Sequence, residues 1–313
     1  MEISIILAKQ IITMFFMVFV GVLLSKFRLV NMEQSRSLST ILIYVFTPCL
    51  ILNSFQTEYT ADKAAGLAAV SCATLLTLLS FTLLTRLMKK ARRPLSSGES
   101  LCAIFSNSGN LIVPIVLGMF GEEYVIYTCP YVLLQNILMW TYGLYIIGGS
   151  RGSIKNLVLK PSFIAIVLGI CMFLLELRFP APLANAVSSL GSCTGTVSML
   201  VIGVLLAETD LKAVMRDSRI YRAVLLRLII FPLIAMLFAL IISRFWYATD
   251  YETIYFIFLL GSMGPSASNI TNMAQVFNHP DDKLISSINA VTVLLCMVTM
   301  PLMSLVFNTI IRL

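Results

Sequence analysis

The stretch Phe105-Ser-Asn-Ser-Gly-Asn-Leu-Ile-Val-Pro114 interrupts a long apolar run with polar and helix-breaking residues. A second stretch, Gly261-Ser-Met-Gly-Pro-Ser-Ala-Ser-Asn-Ile-Thr-Asn272, does the same in the second half of the chain. An interrupted helix leaves backbone N–H and C=O groups that lipid cannot pair, so it survives only inside protein or beside a water-filled cavity. Two such breaks at corresponding places in the two halves of a chain are typical of a transport site.

The composition around these breaks is that of a polytopic membrane protein. Of the 313 residues, 58% are hydrophobic and 12% are charged, whereas a soluble domain is about a quarter charged. The apolar residues fall in runs long enough to cross ~30 Å of hydrocarbon. Ten transmembrane helices are predicted, at about 4–25, 37–56, 64–88, 99–120, 124–148, 158–177, 183–207, 220–243, 252–277 and 284–311.

The basic residues predict how these ten spans are oriented. The loops after the odd-numbered spans hold 16 Lys and Arg residues, and those on the opposite side hold 4. Lys and Arg accumulate in cytoplasmic loops, so both termini are expected outside the cytoplasm, in the plasma or inner membrane. The net charge of +7 follows this topology and indicates the lipid bilayer, not a nucleic acid, as partner.

The ten spans divide into two halves of five. An odd number of spans per half orients residues 151–313 opposite to residues 1–150, which predicts an inverted repeat. The interrupted spans are the fourth and the ninth, and a short acidic turn follows each. The next span then carries a polar residue, Asn136 in one half and Asn289 in the other. A flexible hinge, Gly148-Gly-Ser-Arg-Gly-Ser153, joins the halves.

Few ionisable residues lie inside the spans. The middle of every span lacks Asp and Glu, which disfavours a cation or proton pathway built on paired carboxylates. Glu99 and Glu208 lie at cytoplasmic ends, where solvated carboxylates are expected, and the alternative for both is a role in proton coupling. Lys9 and Arg227 are the charges well inside apolar runs, and either they reach back to the interface or they are counter-charges to an anionic substrate.

Polar side chains cluster at both breaks. The N-terminus of a half-helix carries free N–H donors and partial positive charge, which favour a carboxylate, and Asn adds hydrogen-bonding groups without the cost of burying a charge. The alternative is that these side chains only satisfy the broken backbone. The predicted substrate-binding residues are Asn107, Asn110, Ser266, Asn269 and Asn272. The predicted helix-breaking residues are Gly109, Pro114, Gly264 and Pro265. Gln135 and Asn136 either line the cavity or bond a neighbouring helix.

The sequence contains no recognised catalytic motif. GxSxG, HExxH, P-loop and nucleotide-binding glycine patterns are all missing. The chain has one histidine, His279, and its seven cysteines form no CxxC pair, so no metal site is expected. An enzyme is therefore disfavoured, and no cofactor is expected beyond H⁺ or Na⁺ as a coupling ion.

The chain resembles the auxin efflux carrier family of membrane transporters in its short bacterial form. Asn107-Ser-Gly-Asn-Leu-Ile-Val-Pro114 is similar to the family's Asn-x-Gly-x-x-Gly-x-Pro, with Ile112 in place of the second glycine. Pro265-Ser-Ala-Ser-Asn269 is similar to Pro-x-Ala-x-Asn, and Ile202-Gly-Val-Leu-Leu-Ala207 to Ile-Gly-x-x-Leu-Ala. Thr47-Pro48 stands at the family's Leu-Pro.

This resemblance implies a fold similar to bile-acid/sodium symporters. Spans 1, 2, 6 and 7 would form a scaffold, and spans 3–5 and 8–10 a transport domain in which the broken helices cross. A homodimer, elevator-type alternating access and a small carboxylate substrate, malate-like, malonate-like or auxin-like, are implied as well.

The leading hypothesis is a secondary active transporter of a small organic anion that binds at the crossing. Two alternatives remain open at this stage. One is a sodium-coupled symporter on the same fold, because Asn, Ser and Thr oxygens at a crossing are able to hold Na⁺. The other is a membrane sensor or channel that binds a ligand without pumping it.

Overall fold

Most of the residues that the structure, a computed structural model, describes are helical. The described residues are 2–90, 93–148, 161–207, 217–246 and 250–310, so Glu208 and all of the predicted hinge except Gly148 lie outside them. The helices are α1 (Glu2–Lys26), α2 (Met32–Ile41), α3 (Thr47–Ser54), α4 (Ala61–Met88), α5 (Ser97–Ile104), α6 (Val113–Phe120), α7 (Glu122–Val125), α8 (Cys129–Leu138), α9 (Leu144–Gly148), α10 (Pro161–Leu174), α11 (Ala181–Ala207), α12 (Ser218–Leu225), α13 (Phe231–Ser243), α14 (Tyr251–Met263), α15 (Ser268–Val276) and α16 (Asp282–Ile310).

Each predicted apolar run coincides with one helix or with consecutive helical pieces. Six helical stretches among the described residues are long and apolar enough to cross a bilayer, and three shorter apolar helices accompany them. Two of the three shorter helices, Ser108–Phe120 and Tyr251–Met263, are pieces of the two interrupted runs. A polytopic membrane protein is therefore confirmed, whereas the arrangement as ten spans in two inverted repeats stays a prediction.

Wide π-helical turns connect several of the helical pieces. Three of them, at Leu42–Phe46, Ser108–Ile112 and Leu226–Ile230, run directly into α3, α6 and α13. Each of these helices has a proline in its first turn, at Pro48, Pro114 and Pro232. Proline lacks an N–H donor and its ring clashes with the carbonyl four residues earlier, so the preceding turn widens.

Close glycine contacts join α1 to α11. A Cβ added at Gly203 would lie 2.1 Å from the Val18 carbonyl oxygen, and one added at Gly21 would lie 2.4 Å from the Leu200 carbonyl oxygen. Small residues of this kind let two membrane helices bring their backbones together. The two helices therefore form a tightly packed pair at one side of the molecule.

The interior surrounds the interrupted segments. α5 is buried from Gly98 to Ile104, and α14 from Ile254 to Met263. Large apolar side chains of α1 and α4, including Phe16 and Leu83, are exposed instead, as expected for surfaces that face lipid. The two polar breaks therefore follow deeply buried helices and lie inside the protein, away from the surfaces that face lipid.

Candidate functional site

The two breaks lie against each other as a short antiparallel crossing. Between α5 and the π turn at Ser108–Ile112 the chain is extended, and it is extended again between α14 and α15. Ser106 and Ser266 form an antiparallel bridge. The Asn107 N–H donates to the Pro265 carbonyl at 2.8 Å, and the Ala267 N–H donates to the Phe105 carbonyl at 2.9 Å. Two extended segments about 160 residues apart in the chain thus pair at Ser106 and Ser266.

Side chains from elsewhere complete the hydrogen bonding of this crossing in the first half. The two bridging bonds flank Ser106 and Ser266, so the N–H and C=O groups of these serines point away from each other. The Gln135 Oε1 accepts from the Ser106 N–H at 2.9 Å, and the Gln135 Nε2 donates to the Ser106 carbonyl at 2.8 Å. One buried amide therefore satisfies both backbone groups of Ser106.

In the second half of the chain, two side chains pair the corresponding backbone groups of Ser266. The Ser266 N–H donates to the Thr292 Oγ1 at 3.0 Å, and the Asn289 Nδ2 donates to the Ser266 carbonyl at 3.3 Å. Thr292 and Asn289 lie on α16, one turn apart. Thr292 was missed in the sequence, although its position three residues after Asn289 on the same helix face was a signal.

Arg227 lies behind the crossing and is fully buried, at 0% exposure. Its Nε donates to the Gly264 carbonyl at 2.9 Å, and its Nη1 donates to the Ala103 and Ile104 carbonyls at 2.9 and 3.2 Å. Its Nη2 donates to the Ser262 carbonyl. The prediction that Arg227 reaches back to the interface is therefore wrong, because the backbone breaks offer unpaired carbonyls inside the protein. Lys9, by contrast, is exposed on α1.

A cavity lined mostly by polar residues, partly open to its surroundings, adjoins the crossing. The first break and the N-terminal turn after it line the cavity, together with the start of the second half-helix α15. Ile43, Thr47 and Ser162 also line the cavity. None of the described lining residues is charged. They are Ile43, Thr47, Ser106, Asn107, Ser108, Gly109, Asn110, Val132, Gln135, Asn136, Met139, Ser162, Ala267 and Asn269.

Three of the five predicted substrate-binding residues line this cavity, namely Asn107, Asn110 and Asn269. The Asn107 Nδ2 also donates to the Ser268 Oγ at 3.3 Å, so its amide links the two breaks. Ser266 is buried within the crossing, and Asn272 is exposed further along α15. Neither of these two is among the lining residues.

The predicted helix-breaking residues take different positions. Pro265 lies in the extended second break, and Gly264 ends α14 next to it. Gly109 lies in the π turn after the first break, and Pro114 lies in the first turn of α6, beyond the extended residues. The first break is therefore made by the extended residues upstream of Pro114.

Ile112, which stands at a family glycine, does not face the cavity. A Cβ added at Gly264 would lie 3.1 Å from the Ile112 side chain, so this isoleucine packs against the second break. Asn136 lines the cavity, and Gln135 does so while bonding the first break. Asn136 thus matches the cavity-lining alternative, whereas Gln135 lines the cavity and also bonds the extended first break. Thr47 and Ser162, which also line the cavity, were not singled out as site residues.

The prediction of a solvated Glu99 is wrong as well. Glu99 is 0% exposed at the start of α5. Its carboxylate accepts from the Ser96 N–H at 2.8 Å and pairs with Arg222 at 2.9 Å. The Asp281 carboxylate accepts from the neighbouring Gly98 N–H at 3.0 Å. These contacts stabilise the N-terminal end of α5, which explains why the carboxylate is buried there.

The sequence matches a known protein family. The family model described as membrane transport protein, that of the auxin efflux carrier family, matches residues 6–157 and 150–304. The chain belongs to the auxin efflux carrier family. An uncharacterized transporter from Methanothermobacter thermautotrophicus is 26% identical over 312 residues, covering 95% of this chain and 97% of the relative. Membership in the auxin efflux carrier family makes this chain a membrane transport protein.

Proposed function

We propose that the protein is a secondary active transporter of a small organic anion, with the cavity at the crossing as its binding site. The observation that carries this proposal is the cavity itself. It adjoins the N-terminal turns of both second half-helices, where N–H groups and partial positive charge favour an anion. Asn107, Asn110 and Asn269 add neutral hydrogen-bonding groups beside these turns.

The contacts between segment ends support the proposed topology of ten spans in two inverted repeats. At one end, Glu122 accepts from Asn53 at 2.5 Å and from Ser188 at 3.3 Å. At the other end, Glu99 pairs with Arg222, and Gly98 donates to Asp281. Each contact joins segment ends that alternate crossing assigns to the same side of the membrane. The antiparallel direction of the crossing also agrees with halves of opposite orientation.

The position of the cavity supports elevator-type movement. Ile43, Thr47 and Ser162 belong to the second and sixth proposed spans, which would be part of the scaffold. The remaining lining residues belong to spans 4, 5 and 9 of the proposed transport domain. A ligand at this boundary would be carried across when the transport domain slides along the scaffold, and scaffold contacts would also form the proposed homodimer.

Uptake by purified protein in proteoliposomes tests the proposal. Thermal unfolding is first measured with malate, malonate and indole-3-acetate, because a bound ligand raises stability by mass action. Counterflow of the radiolabelled acid that stabilises the protein is then measured. We expect Asn269→Ala to abolish counterflow and Asn272→Ala, on the same helix but outside the cavity, to retain it.

Two outcomes would contradict the proposal. The first is no stabilisation and no counterflow with any organic acid when the protein is folded, and the second is equal counterflow in Asn269→Ala and the parent protein. Repeating the assay with choline in place of sodium identifies the coupling ion, because a sodium-coupled symporter loses counterflow in the absence of sodium.

A further inference from the structure

We propose that Arg227 makes the cavity electropositive from behind the crossing and so selects for anions without touching them. This inference rests on the proposed function and names the residue that gives the site its preference for charge. Arg227 does not line the cavity. Its effect is therefore that of a positioning residue that acts through the backbone of the two breaks.

Arg227 binds backbone carbonyls at the ends of two helices. The Ala103 and Ile104 carbonyls belong to the last turn of α5, and the Ser262 and Gly264 carbonyls lie at the end of α14. The C-terminus of a helix carries about half a negative charge, located on its unpaired carbonyls. One guanidinium group therefore neutralises the negative ends of both first half-helices, α5 and α14.

The charge of Arg227 is offset by backbone carbonyls and not by a carboxylate among the described residues. The acceptors of the guanidinium are four backbone carbonyls, and no described carboxylate forms an ion pair with it. The positive N-terminal turns at Ser108–Ile112 and at the start of α15 face the cavity on the other side of the crossing. With the negative ends neutralised by Arg227, the field in the cavity is dominated by these positive turns.

The position of Arg227 depends on a widened turn of the helix that carries it. Pro232 follows it by five residues and widens the turn at Leu226–Ile230 into a π turn. Arginine remains charged even when it is buried, and its planar fork has five donors in a fixed geometry. Lysine provides the same charge with three donors on a compact head, so it would keep the potential but bind fewer carbonyls.

An engineered thiol measures the potential in the cavity without any transported ligand. Gly109 lines the cavity, and a Cβ added there meets nothing within 4 Å, so we expect Gly109→Cys to fold. The accessible or half-buried native cysteines are replaced by serine, and the three buried cysteines stay. The replaced residues are Cys49, Cys72, Cys171 and Cys193.

The reaction rates of this thiol with a negative reagent, sulfonatoethyl methanethiosulfonate, and a positive one, trimethylammonioethyl methanethiosulfonate, are then compared. We expect the negative reagent to be favoured relative to its reaction with a small free thiol. Arg227→Gln keeps hydrogen-bond donors but removes the charge, and it should lower the ratio of the two rates by about tenfold. Arg227→Lys should keep the ratio.

Arg219→Met is the matched control, because it removes a positive charge from the same segment at an exposed position. We expect it to leave the ratio unchanged. An unaltered ratio in Arg227→Gln overturns the inference. If that variant does not fold, a parent ratio no higher than that of the free thiol overturns it, and so does a thiol that neither reagent reaches. A high, Arg227-dependent ratio without organic-acid transport would contradict only the proposed function.

Discussion

At the scale of single residues, the crossing depends on polar side chains that replace missing secondary structure. A continuous sheet would pair both sides of each extended segment, but here each segment has one neighbour. Gln135 supplies the missing partners of Ser106, and Thr292 and Asn289 supply those of Ser266. Buried backbone groups left without partners cost about 1–3 kcal/mol each, so these side chains are structural requirements of the site.

Gln135→Leu is therefore expected to destabilise the protein by about 2–6 kcal/mol, because it leaves the buried N–H and C=O of Ser106 unpaired. Thermal unfolding in detergent measures the effect as a lowered midpoint. Asn136→Leu, at the adjacent half-buried position, is the control and should lower the midpoint much less. Equal midpoints for Gln135→Leu and the parent protein would show that Ser106 finds other partners.

The sequence indicated these residues to different degrees. The polar clusters at the two breaks predicted Asn107, Asn110 and Asn269, which the structure brings to one cavity. The sequence did not reveal which groups bind Arg227, because the acceptors are carbonyls of segments about 35 and 124 residues away. Backbone carbonyls carry no sequence signal. An arginine in an apolar run therefore looks the same in the sequence whether its side chain reaches back to the interface or is buried inside the protein.

At the scale of helices, proline and glycine determine where the elements bend and where they touch. Prolines in the first turns of α3, α6 and α13 follow widened turns, and these turns position Arg227 and Gly109. The sequence did not predict the π turns, since the extra residue of a widened turn is accommodated by tertiary packing. Glycines bring α1 and α11 into backbone contact.

Two glycines of α11 provide a paired prediction. Gly203→Ala should destabilise the protein, because the new Cβ would lie 2.1 Å from the Val18 carbonyl oxygen. Gly195→Ala should be neutral or slightly stabilising, because its nearest neighbour, the Pro114 Cβ, is 3.5 Å away and alanine favours a helix. Unfolding midpoints of the two variants, measured in the same detergent, should differ by several degrees, and identical midpoints would contradict the close contact.

At the scale of the whole molecule, hydropathy predicted the helical fold well because lipid allows few alternatives to helices. The ten apolar runs all correspond to helical segments. Contacts between distant segments could not be predicted in this way. That Glu122 bonds Asn53 and Ser188 follows from three-dimensional packing, which hydropathy and charge counts do not encode.

The proposed even number of crossings places both termini on the same side of the membrane, and the distribution of Lys and Arg predicts that this side is outside the cytoplasm. Alkaline phosphatase fused to the C-terminus should therefore be active, and a green fluorescent protein fusion at the same place should be dark. Fusions after Met88, in a loop that the charge distribution assigns to the cytoplasm, are the control and should show the opposite pattern. A fluorescent C-terminal fusion would exclude the inverted repeat.

The crossing at Ser106 and Ser266 also has an electrical consequence. It is one pair of extended segments wide, about 5 Å, whereas the hydrocarbon around it is ~30 Å thick. If water reaches the cavity on one side, the membrane voltage falls mainly across this thin partition. A charged solute held there would then sense most of the transmembrane field during a short displacement, at about 2.3 kcal/mol per elementary charge for each 100 mV.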